Sequence, residues 1–503
     1  MYCINKVRVT AQKVGQAHQS HKILRIAGFL LFAACVLGTG TIWAQDSSIE
    51  GVVKDQSGAV IPGAEITVAN LDTSVSRTVV SNSAGLYAVP LLKDGRYRVS
   101  CRSKGFSTQQ TDIQLQLAQI ARVDFQLKIG EVSEVVSVSA EAELVQSKAQ
   151  DVGQVIDEKR IHELPLNGRN YLELAQLSAG VVPAGAVGRG QRTMSEGGFR
   201  SSGQHVAQNN LLLDGSDITS KTSRGPLGFQ AQAVVPDVEA LSEFKVLTNN
   251  TSAEYGYSQG GKILVSTRSG TNKFHGSLFE FHRNSAVSAN NFFFNRNAQP
   301  GTTGAKQPLY IRNQYGATLG GPIIREKTFF FASFQGTRIR QGLSTTTTVP
   351  SAAIRQGDFS LEPGGAGRNS GIFDPLLISG SGTAAVRQAF PNNRIPTSRL
   401  DPLALKIVAL YPLPNVQGRE NLPNNYFASP GTATDFDQYD FRLDHNFSQS
   451  HRFFVRYSLR DEVRAQPGPF KLPASENMGQ LTDMKGHNLA ANFNLVLYHL
   501  YSG

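Results

Sequence analysis

One stretch of the chain has most of the spacing of a phosphate-binding loop. Gly256, Gly261 and Lys262 stand where the pattern G-x-x-x-x-G-K-S/T places its two glycines and its lysine. Position 263 is Ile, so the hydroxyl that would hold Mg²⁺ is missing. Residues 263–268 have a strand pattern, whereas a phosphate site of this type needs the N-terminus of a helix. We therefore expect no nucleotide site here.

Other residue patterns that carry out chemistry are absent or badly placed. The sequence contains no HExxH or CxxC motif. His275 and His282 are seven residues apart on a predicted strand, where they face opposite sides and do not converge on a metal. Cys101 is the only cysteine beyond the predicted leader, which excludes an intramolecular disulfide. We expect no enzyme activity, no cofactor and no metal site.

The N-terminus is typical of a secretory signal. Residues 1–44 contain five basic residues and no acidic ones, followed by the apolar run 26–37 and small residues up to Ala44. The run of roughly 12 residues is too short for a spanning helix, which needs about 20. We expect a mature chain starting near Gln45, and lipid attachment at Cys35 stays open as an alternative. The five basic residues account for half of the net charge of +10, and the remainder is too mild to indicate nucleic-acid binding.

Short alternating segments separated by turn residues fill residues 48–128. The last of them places Val123, Phe125 and Leu127 on one face of a strand, and turns such as Pro62-Gly63 separate the others. About seven such strands predict a small β-sandwich.

This segment resembles the carboxypeptidase regulatory-like domain, a transthyretin-like β-sandwich. The matching text is IEGVVKDQSGAVIPGAEITVAN (49–70) and SNSAGLYAVPLLKDGRYRVSCRSKGF (81–106). The family name implies no peptidase activity here, because the segment contains no His and therefore no His-x-x-Glu zinc site. The resemblance implies a periplasmic spacer or docking module. Carbohydrate binding, known for related folds, is the alternative.

Residues 129–270 mix short strands, short helices and glycine-rich loops. The pattern predicts a strand at 132–138, a helix capped by Asp157 and ended before Pro165, and a second helix at 171–177. It also predicts a buried strand at 210–213 that ends in a turn.

This stretch resembles the plug domain of TonB-dependent receptors. The motifs are Gly-Phe-Arg-Ser (198–201), with Ser where Gly is usual, Leu-Asp-Gly (213–215) and Val-Glu-Ala-Leu-Ser-Glu-Phe-Lys-Val (238–246). LPLNGRNYLELAQLSAGV (164–181) looks most like the Oar-like branch. We expect the motif residues to serve the plug fold rather than to contact a substrate. They are Arg169, Arg200, Asp214, Gly215, Gly260 and Gly261.

Six candidate strands of about ten residues or longer follow, the length that a tilted transmembrane strand requires. They are 274–283, 313–323, 327–340, 438–447, 451–461 and 488–499. The clearest alternation is that of Tyr439, Phe441 and Leu443 with Asp440, Arg442 and Asp444. Alternation alone suits a soluble sandwich as well as an outer-membrane barrel.

The connections between these strands decide between the two folds. They contain 29, 3, 97, 3 and 26 residues, so long and short alternate. Outer-membrane barrels have long extracellular loops and short periplasmic turns. A soluble sandwich has no reason for this order, and a 97-residue loop would be abnormal in it.

The strand text, for example DQYDFRLDHNFSQSHRFFVRYSL (437–459), also resembles the Oar-like barrel. That resemblance implies a barrel of 22 strands around a plugged lumen. Six strands cannot close, so we expect an incomplete wall whose edges are 274–283 and 488–499. We interpret the chain as the N-terminal part of such a protein, from a fragment or a truncated gene model.

The predicted fold is therefore mainly β: signal peptide 1–44, transthyretin-like sandwich 45–128, α+β plug 129–270 and partial transmembrane barrel 271–503. The resemblance implies an outer-membrane receptor that takes up a ligand by TonB-coupled movement of the plug. Its expected partners are outer-membrane lipid, a TonB-type energy-coupling protein and an extracellular ligand, with a glycan among the candidates. No TonB-box sequence is evident between Gln45 and the sandwich. The alternatives are a surface structural or adhesion protein anchored by the barrel, or carbohydrate binding by the sandwich.

Overall fold

The structure, a computed structural model, describes most of the chain after the predicted signal segment. The described residues are 46–130, 135–137, 152–166, 168–183, 199–204, 208–219, 232–249, 251, 255, 259–290, 292, 307–342, 345–361, 371–380, 382, 385–470 and 480–495. The predicted cleavage site and Cys35 lie outside them. The described part is mainly β, which confirms the predicted fold class.

The first domain is a β-sandwich whose two sheets enclose a core of alternating inward side chains. Its strands are β1 Ser47–Asp55, β2 Glu65–Asn70, β3 Ser76–Val80, β4 Leu86–Leu92, β5 Gly95–Arg102, β6 Thr108–Leu115, β7 Ile120–Arg122 and β8 Phe125–Leu127. One sheet has the order β4-β1-β7, with β8 also paired to β1, and the other begins β3-β2-β5-β6. Val123, Phe125 and Leu127 are buried in the core, as the alternation predicted.

A ninth strand, β9 (Val135–Ser137), pairs in parallel with β6 at the edge of this second sheet. The sequence pattern predicted a strand at this place, but as part of the plug. Its backbone hydrogen bonds are made with the sandwich.

The second domain, which was predicted as a plug and is called the plug from here on, is built on a five-stranded mixed sheet in the order β10-β15-β16-β13-β14. These strands are β10 Val152–Ile156, β13 Asn210–Leu213, β14 Ser216–Asp217, β15 Leu241–Asn249 and β16 Lys262–Thr267, with β11 Val181–Pro183 and β12 Phe199–Ser201 forming a separate pair. Helix α1 (Glu158–Glu163) and a 3₁₀ helix (Tyr171–Leu177) lie where helices were predicted. The Asp157 carboxylate caps α1 by accepting from the Arg160 N–H at 2.9 Å. Every residue of β16 is buried, so this strand lies at the centre of the plug.

The remaining strands form one antiparallel sheet, which we call the wall. Its strands are β17 His275–Asn284, β18 Tyr310–Ile324, β19 Thr328–Gly342, β24 Gly431–Asn446, β25 His451–Gln466 and β26 Gln480–Leu495, paired in that order. The six predicted strands are therefore confirmed, with β17 and β26 as the edges of the described sheet. β24 and β26 begin earlier than predicted, and in β24 threonines such as Thr432 and Thr434 continue the inward-facing alternation.

The wall has its apolar side chains on the outside. Phe441 of β24 is 51% exposed, Tyr457 of β25 is 37% exposed and Phe493 of β26 is 57% exposed. The charged residues between them, such as Arg442 and Arg456, are buried against the plug. A soluble sheet would bury its apolar face and expose its charges. The observed polarity suits a wall with lipid on one side and a polar plug on the other.

The connections of the wall keep the predicted alternation. Residues 325–327 and 447–450 are short turns, whereas 285–309, 343–430 and 467–479 are longer. The connection 343–430 was predicted only as a loop, but it has elements of its own. They are β20 Thr345–Thr347, α2 Ala352–Arg355, β21 Phe373–Ser379, β22 Val386–Ala389, α3 Pro402–Ala409 and β23 Tyr426–Ala428. None of the helices in the described residues has the length and apolarity to cross a membrane.

Candidate functional site

The Leu-Asp-Gly motif forms the turn between β13 and β14. Asp214 has φ 46° and Gly215 has φ 81°, and positive φ at both central residues is what a type I′ hairpin turn requires. Asp and Gly are the residues that tolerate this conformation best. The turn directs the Asp214 carboxylate away from its own hairpin, towards β16 and the wall.

Asp214 joins the plug to the inner face of the wall. One carboxylate oxygen accepts from Arg442 Nη1 at 2.9 Å and the other from Arg456 Nε at 2.8 Å. The N–H and hydroxyl of Thr267, at the end of β16, also donate to this carboxylate, at 2.9 and 2.7 Å. Arg442 makes two further bonds of 2.9 Å to Asp444. The site is a buried ion-pair cluster shared by β13, β16, β24 and β25, and we call it the Asp214 cluster.

Charge balance keeps the carboxylate of this cluster ionised. Burial alone would raise the pKa of Asp214, but the Arg442 and Arg456 guanidiniums outweigh it and lower the pKa to about 2. Arg456 is fully buried, and its Nη2 also donates to the Leu213 carbonyl at 3.1 Å. Removing one member of such a buried pair is costly, because the other charge is then buried without compensation.

Arg169 makes a second contact between the plug and the wall. Its Nη2 donates to Glu239 at 2.8 Å, and its guanidinium lies 4.7 Å from the ring centre of Phe279 and 4.6 Å from that of Phe281 on β17. Arg169 has φ 55° and follows Gly168, whose carbonyl accepts from Arg312 of β18 at 2.6 Å. A Cβ at position 168 would lie 2.1 Å from that guanidinium, so the turn needs glycine there.

The two acidic neighbours of Arg169 have opposite pKa shifts. The hydrogen bond from His162 and the one from Arg169 lower the pKa of Glu239 to about 2. Burial raises the pKa of Asp237 to about 7, against the attraction of Arg169. Asp237 also accepts from the Ser333 hydroxyl of β19 at 3.1 Å, which is a third contact between plug and wall.

The glycines at 260 and 261 allow a close approach inside the plug. The Gly260 N–H donates to the Gln208 carbonyl, and the Gly261 N–H donates to the Asn209 side chain, both at 3.0 Å. A Cβ at 261 would lie 2.7 Å from the Cβ of Ser201. Lys262 begins a strand and not a helix, so the element needed to bind a phosphate does not follow these glycines.

The remaining predicted residues lie apart from this cluster. Arg200 is exposed on β12, opposite Val182, and is not among the described members of the Asp214 cluster. His275 and His282 are both on β17, and His282 contacts Asn313 at 2.5 Å. Burial raises the pKa of the Cys101 thiol to about 12, which makes it unreactive. In the described residues no three His, Cys, Asp or Glu side chains form a group that could hold a metal.

Asp214 was predicted from the sequence, but its partners were not. In the sequence Asp440, Arg442 and Asp444 alternate with apolar residues, and Arg456 faces away from the apolar row. Alternation gives the face of a strand but not the residue opposite it in another domain. The signal that could have found these partners is the presence of arginines on the face that a membrane wall turns inward.

Two family models match the chain. A carboxypeptidase regulatory-like domain matches residues 48–128, and an outer membrane beta barrel domain matches residues 266–499. Both matches agree with the sandwich and the wall of the structure.

One curated relative and one solved structure show what the chain is similar to. The TonB-dependent transporter Oar of Myxococcus xanthus is 28% identical over 326 residues, which is 62% of this chain and 29% of that protein. The outer membrane transporter YddB of Escherichia coli is 14% identical with a TM-score of 0.43, over 69% of this chain and 37% of that one. The match therefore covers less than a third of the length of Oar. The chain is an outer-membrane protein that contains a carboxypeptidase regulatory-like domain and an outer membrane beta barrel domain and is similar over 62% of its length to the transporter Oar.

Proposed function

We propose that the protein takes up a ligand across the outer membrane through a plugged barrel. The observation that supports this most is the way in which the plug is held against the wall. At Asp214 the contacts are ion pairs with Arg442 and Arg456 of the wall. At Arg169 the guanidinium lies over the rings of Phe279 and Phe281. Water can replace such contacts when the plug moves, whereas an apolar interface would resist exposure.

The connection 343–430 is suited to ligand capture. It lies on the long-loop side of the wall, which is extracellular in outer-membrane barrels, and it forms its own strands and helices. The ligand is the part of the proposal that the sequence leaves open, with glycans, peptides, siderophores and cobalamin as candidates.

The partner in this proposal is a TonB-type energy-coupling protein of the inner membrane. The support is the name of the Oar relative, a TonB-dependent transporter, of which this chain covers 29%. Coupling would act on the plug from the side of the short turns.

A comparison of spent culture media tests uptake without knowing the ligand. Three strains are grown: the parent, a strain lacking this gene, and a strain lacking the energy-coupling protein. Mass spectrometry of the media should find at least one compound that only the parent removes. If all three strains deplete the same compounds, the transport proposal is wrong.

A second candidate, surface adhesion, has one observation in its favour. The connection 343–430 exposes several large apolar side chains, which suits contact with another surface. They are Leu376, Leu377, Ile378, Leu403 and Ile407. Adhesion predicts that deletion of the gene reduces cell-surface attachment and leaves the spent media unchanged.

A further inference from the structure

One end of the sandwich lies against the plug and the wall. This end carries the turn between β4 and β5, the turn between β6 and β7, the loop between β2 and β3, and the start of β1. Strand register helps to bring these segments together, because Ser47 pairs with Leu92 and Gly95 pairs with Leu115. The sandwich therefore docks by its turns and not by a sheet face.

The β4–β5 turn contacts two adjacent strands of the plug sheet, the central strand β16 and its neighbour β15. The Asp94 carboxylate accepts from the hydroxyl of Ser242 on β15 at 2.8 Å and from that of Ser266 on β16 at 2.7 Å. Next to it, Lys93 Nζ donates to the Thr267 carbonyl at 3.0 Å. Two adjacent residues of the sandwich thus contact three residues of the plug sheet.

The β6–β7 turn adds a buried apolar contact to these polar ones. Leu117 is buried and packs with Leu247 and Leu264 of the plug. Its N–H donates to the Glu243 carboxylate at 2.6 Å, and Lys245 Nζ donates to the Ala118 carbonyl at 3.0 Å.

Ionisable groups that are partly or fully removed from water at this junction indicate a specific interface. Burial lowers the pKa of Lys93, and burial together with the nearby Asp94 raises the pKa of Glu243 to about 8. Taking ionisable side chains out of water is unfavourable unless the contacts that they make are well formed. A domain that served only as a flexible tether would have no reason to bury these groups.

The same end of the sandwich is also bound to the wall. The Asp46 carboxylate accepts from Arg452 of β25 and from Asn494 of β26, both at 2.6 Å. These two wall residues are paired across the strands, next to the short turn 447–450. Asn272 donates to the carbonyls of Asp72 and Thr73 at 3.0 and 2.6 Å and accepts from the N–H of Glu326 in the other short turn at 2.9 Å. The short turns mark the periplasmic side of an outer-membrane wall.

Thr267 connects the contact between the sandwich and the plug to the Asp214 cluster. The carbonyl of Thr267 accepts from Lys93, while its N–H and hydroxyl donate to Asp214. Thr267 therefore contacts both Lys93 of the sandwich and the Asp214 carboxylate, which pairs with Arg442 and Arg456. A cleft of about 880 Å³ lies beside the junction, and Lys93, Asp94 and Ser242 are among the residues that line it.

We propose that the sandwich is a periplasmic clamp, which holds the plug in its seat by binding plug strands β15 and β16 and the wall at the same time. Displacement of the plug then requires the Lys93–Asp94 turn to release β15 and β16. This proposal concerns only how the plug is held in place. It can therefore be right or wrong independently of the proposal on ligand uptake.

The first test compares two double variants of the full-length protein in outer membranes. Lys93→Ala with Asp94→Ala removes the contacts of the β4–β5 turn. Arg98→Ala with Asp112→Ala is the matched control, because this ion pair lies on the same sandwich with side chains 46% and 50% exposed. Hydrogen exchange should become about tenfold faster in β15 and β16 in the first variant and stay unchanged in the control. Equal exchange in both variants would overturn the clamp.

A cross-link tests the same proposal by strengthening the contact. Asp94→Cys with Ser266→Cys puts two thiols where the carboxylate and the hydroxyl now meet, and Cys101 is buried in the sandwich core. Oxidation should slow exchange in β15 and β16 below that of the parent, and a reductant should reverse it. If the alanine variant also loses protection from hydrogen exchange within the sandwich, the sandwich has misfolded. The cross-linked variant then provides the test of the proposal. A cross-linked plug that exchanges as fast as the reduced one would show that the sandwich is a passive neighbour.

Discussion

At the scale of single residues, the seating of the plug depends most on Asp214. Replacing it by Ala leaves the buried Arg456 without its carboxylate partner, and breaking a buried pair costs about 3–5 kcal/mol. We expect the Asp214→Ala plug to become sensitive to protease at a lower urea concentration than the parent plug. Digestion of the membrane-embedded protein over a urea series measures this.

The control for Asp214 is an exposed pair on the same wall. Asp461 lies 3.9 Å from Lys485 with its side chain 46% exposed. Exposed pairs contribute at most about 1 kcal/mol, so Asp461→Ala should leave the urea midpoint almost unchanged. Equal shifts in the two variants would contradict a special role for the Asp214 cluster.

Asp237 gives the plug a dependence on pH. Its pKa is about 7 in the folded protein against an ordinary value of 3.8, so the folded state binds the extra proton. The stability that this group contributes is complete below about 3.8 and is lost as the pH rises through about 7. Glu239 acts in the opposite direction, with its contribution lost as the pH falls from 4.5 towards about 2.

Asp237→Asn tests this dependence because the amide keeps the acceptor for the Glu239 N–H and can bond to Ser333. The urea midpoint of the parent should fall between pH 4 and 7, and that of the Asn variant should fall less. The part of this fall that is due to Glu243, whose pKa is also raised, should remain in the parent and in the Asn variant. Identical pH profiles would show that Asp237 is ionised in the folded plug.

At the scale of elements, the outer face of the wall should tolerate only apolar substitutions. Phe441 is 51% exposed on β24, and an Arg at the middle of a bilayer costs about 2–4 kcal/mol. Phe441→Arg should reduce the amount of protein assembled in outer membranes, measured by heat-modifiable migration, whereas Phe441→Leu should not. Equal assembly of the two variants would indicate that this face meets water.

The sandwich should fold without the rest of the chain. Its core is formed by its own residues, such as Ile49, Ile66, Val99 and Leu127, with none from the described plug or wall. Residues 46–130 should therefore give a β-type circular dichroism spectrum and a cooperative thermal transition. A disordered spectrum would mean that the sandwich depends on the plug for its stability.

At the scale of the whole molecule, the sequence predicted what alternation and turns encode. The six wall strands, the α1 cap at Asp157 and the Asp214–Gly215 turn each depend on residues close together in the sequence, so local patterns were sufficient. The order of long and short connections supplied the membrane interpretation.

The sequence did not predict contacts between distant segments. Arg442 and Arg456 are more than two hundred residues from Asp214, and only the fold brings them within 2.9 Å. The pairing of β9 with the sandwich was missed for the same reason. A strand pattern in the sequence does not show with which other strand it pairs. The roles of Lys93 and Asp94 were also missed, because in the sequence they are an ordinary polar turn.

The central claim is that the wall meets lipid on one face and the plug on the other. Single spin labels attached to cysteines at Phe441 and Tyr457 on the outer face, and at Ser458 on the inner face, test it directly. We expect the outer labels to be accessible to oxygen and protected from a water-soluble nickel complex, and the inner label to be protected from both. Strong accessibility of the outer labels to the nickel complex would contradict the claim.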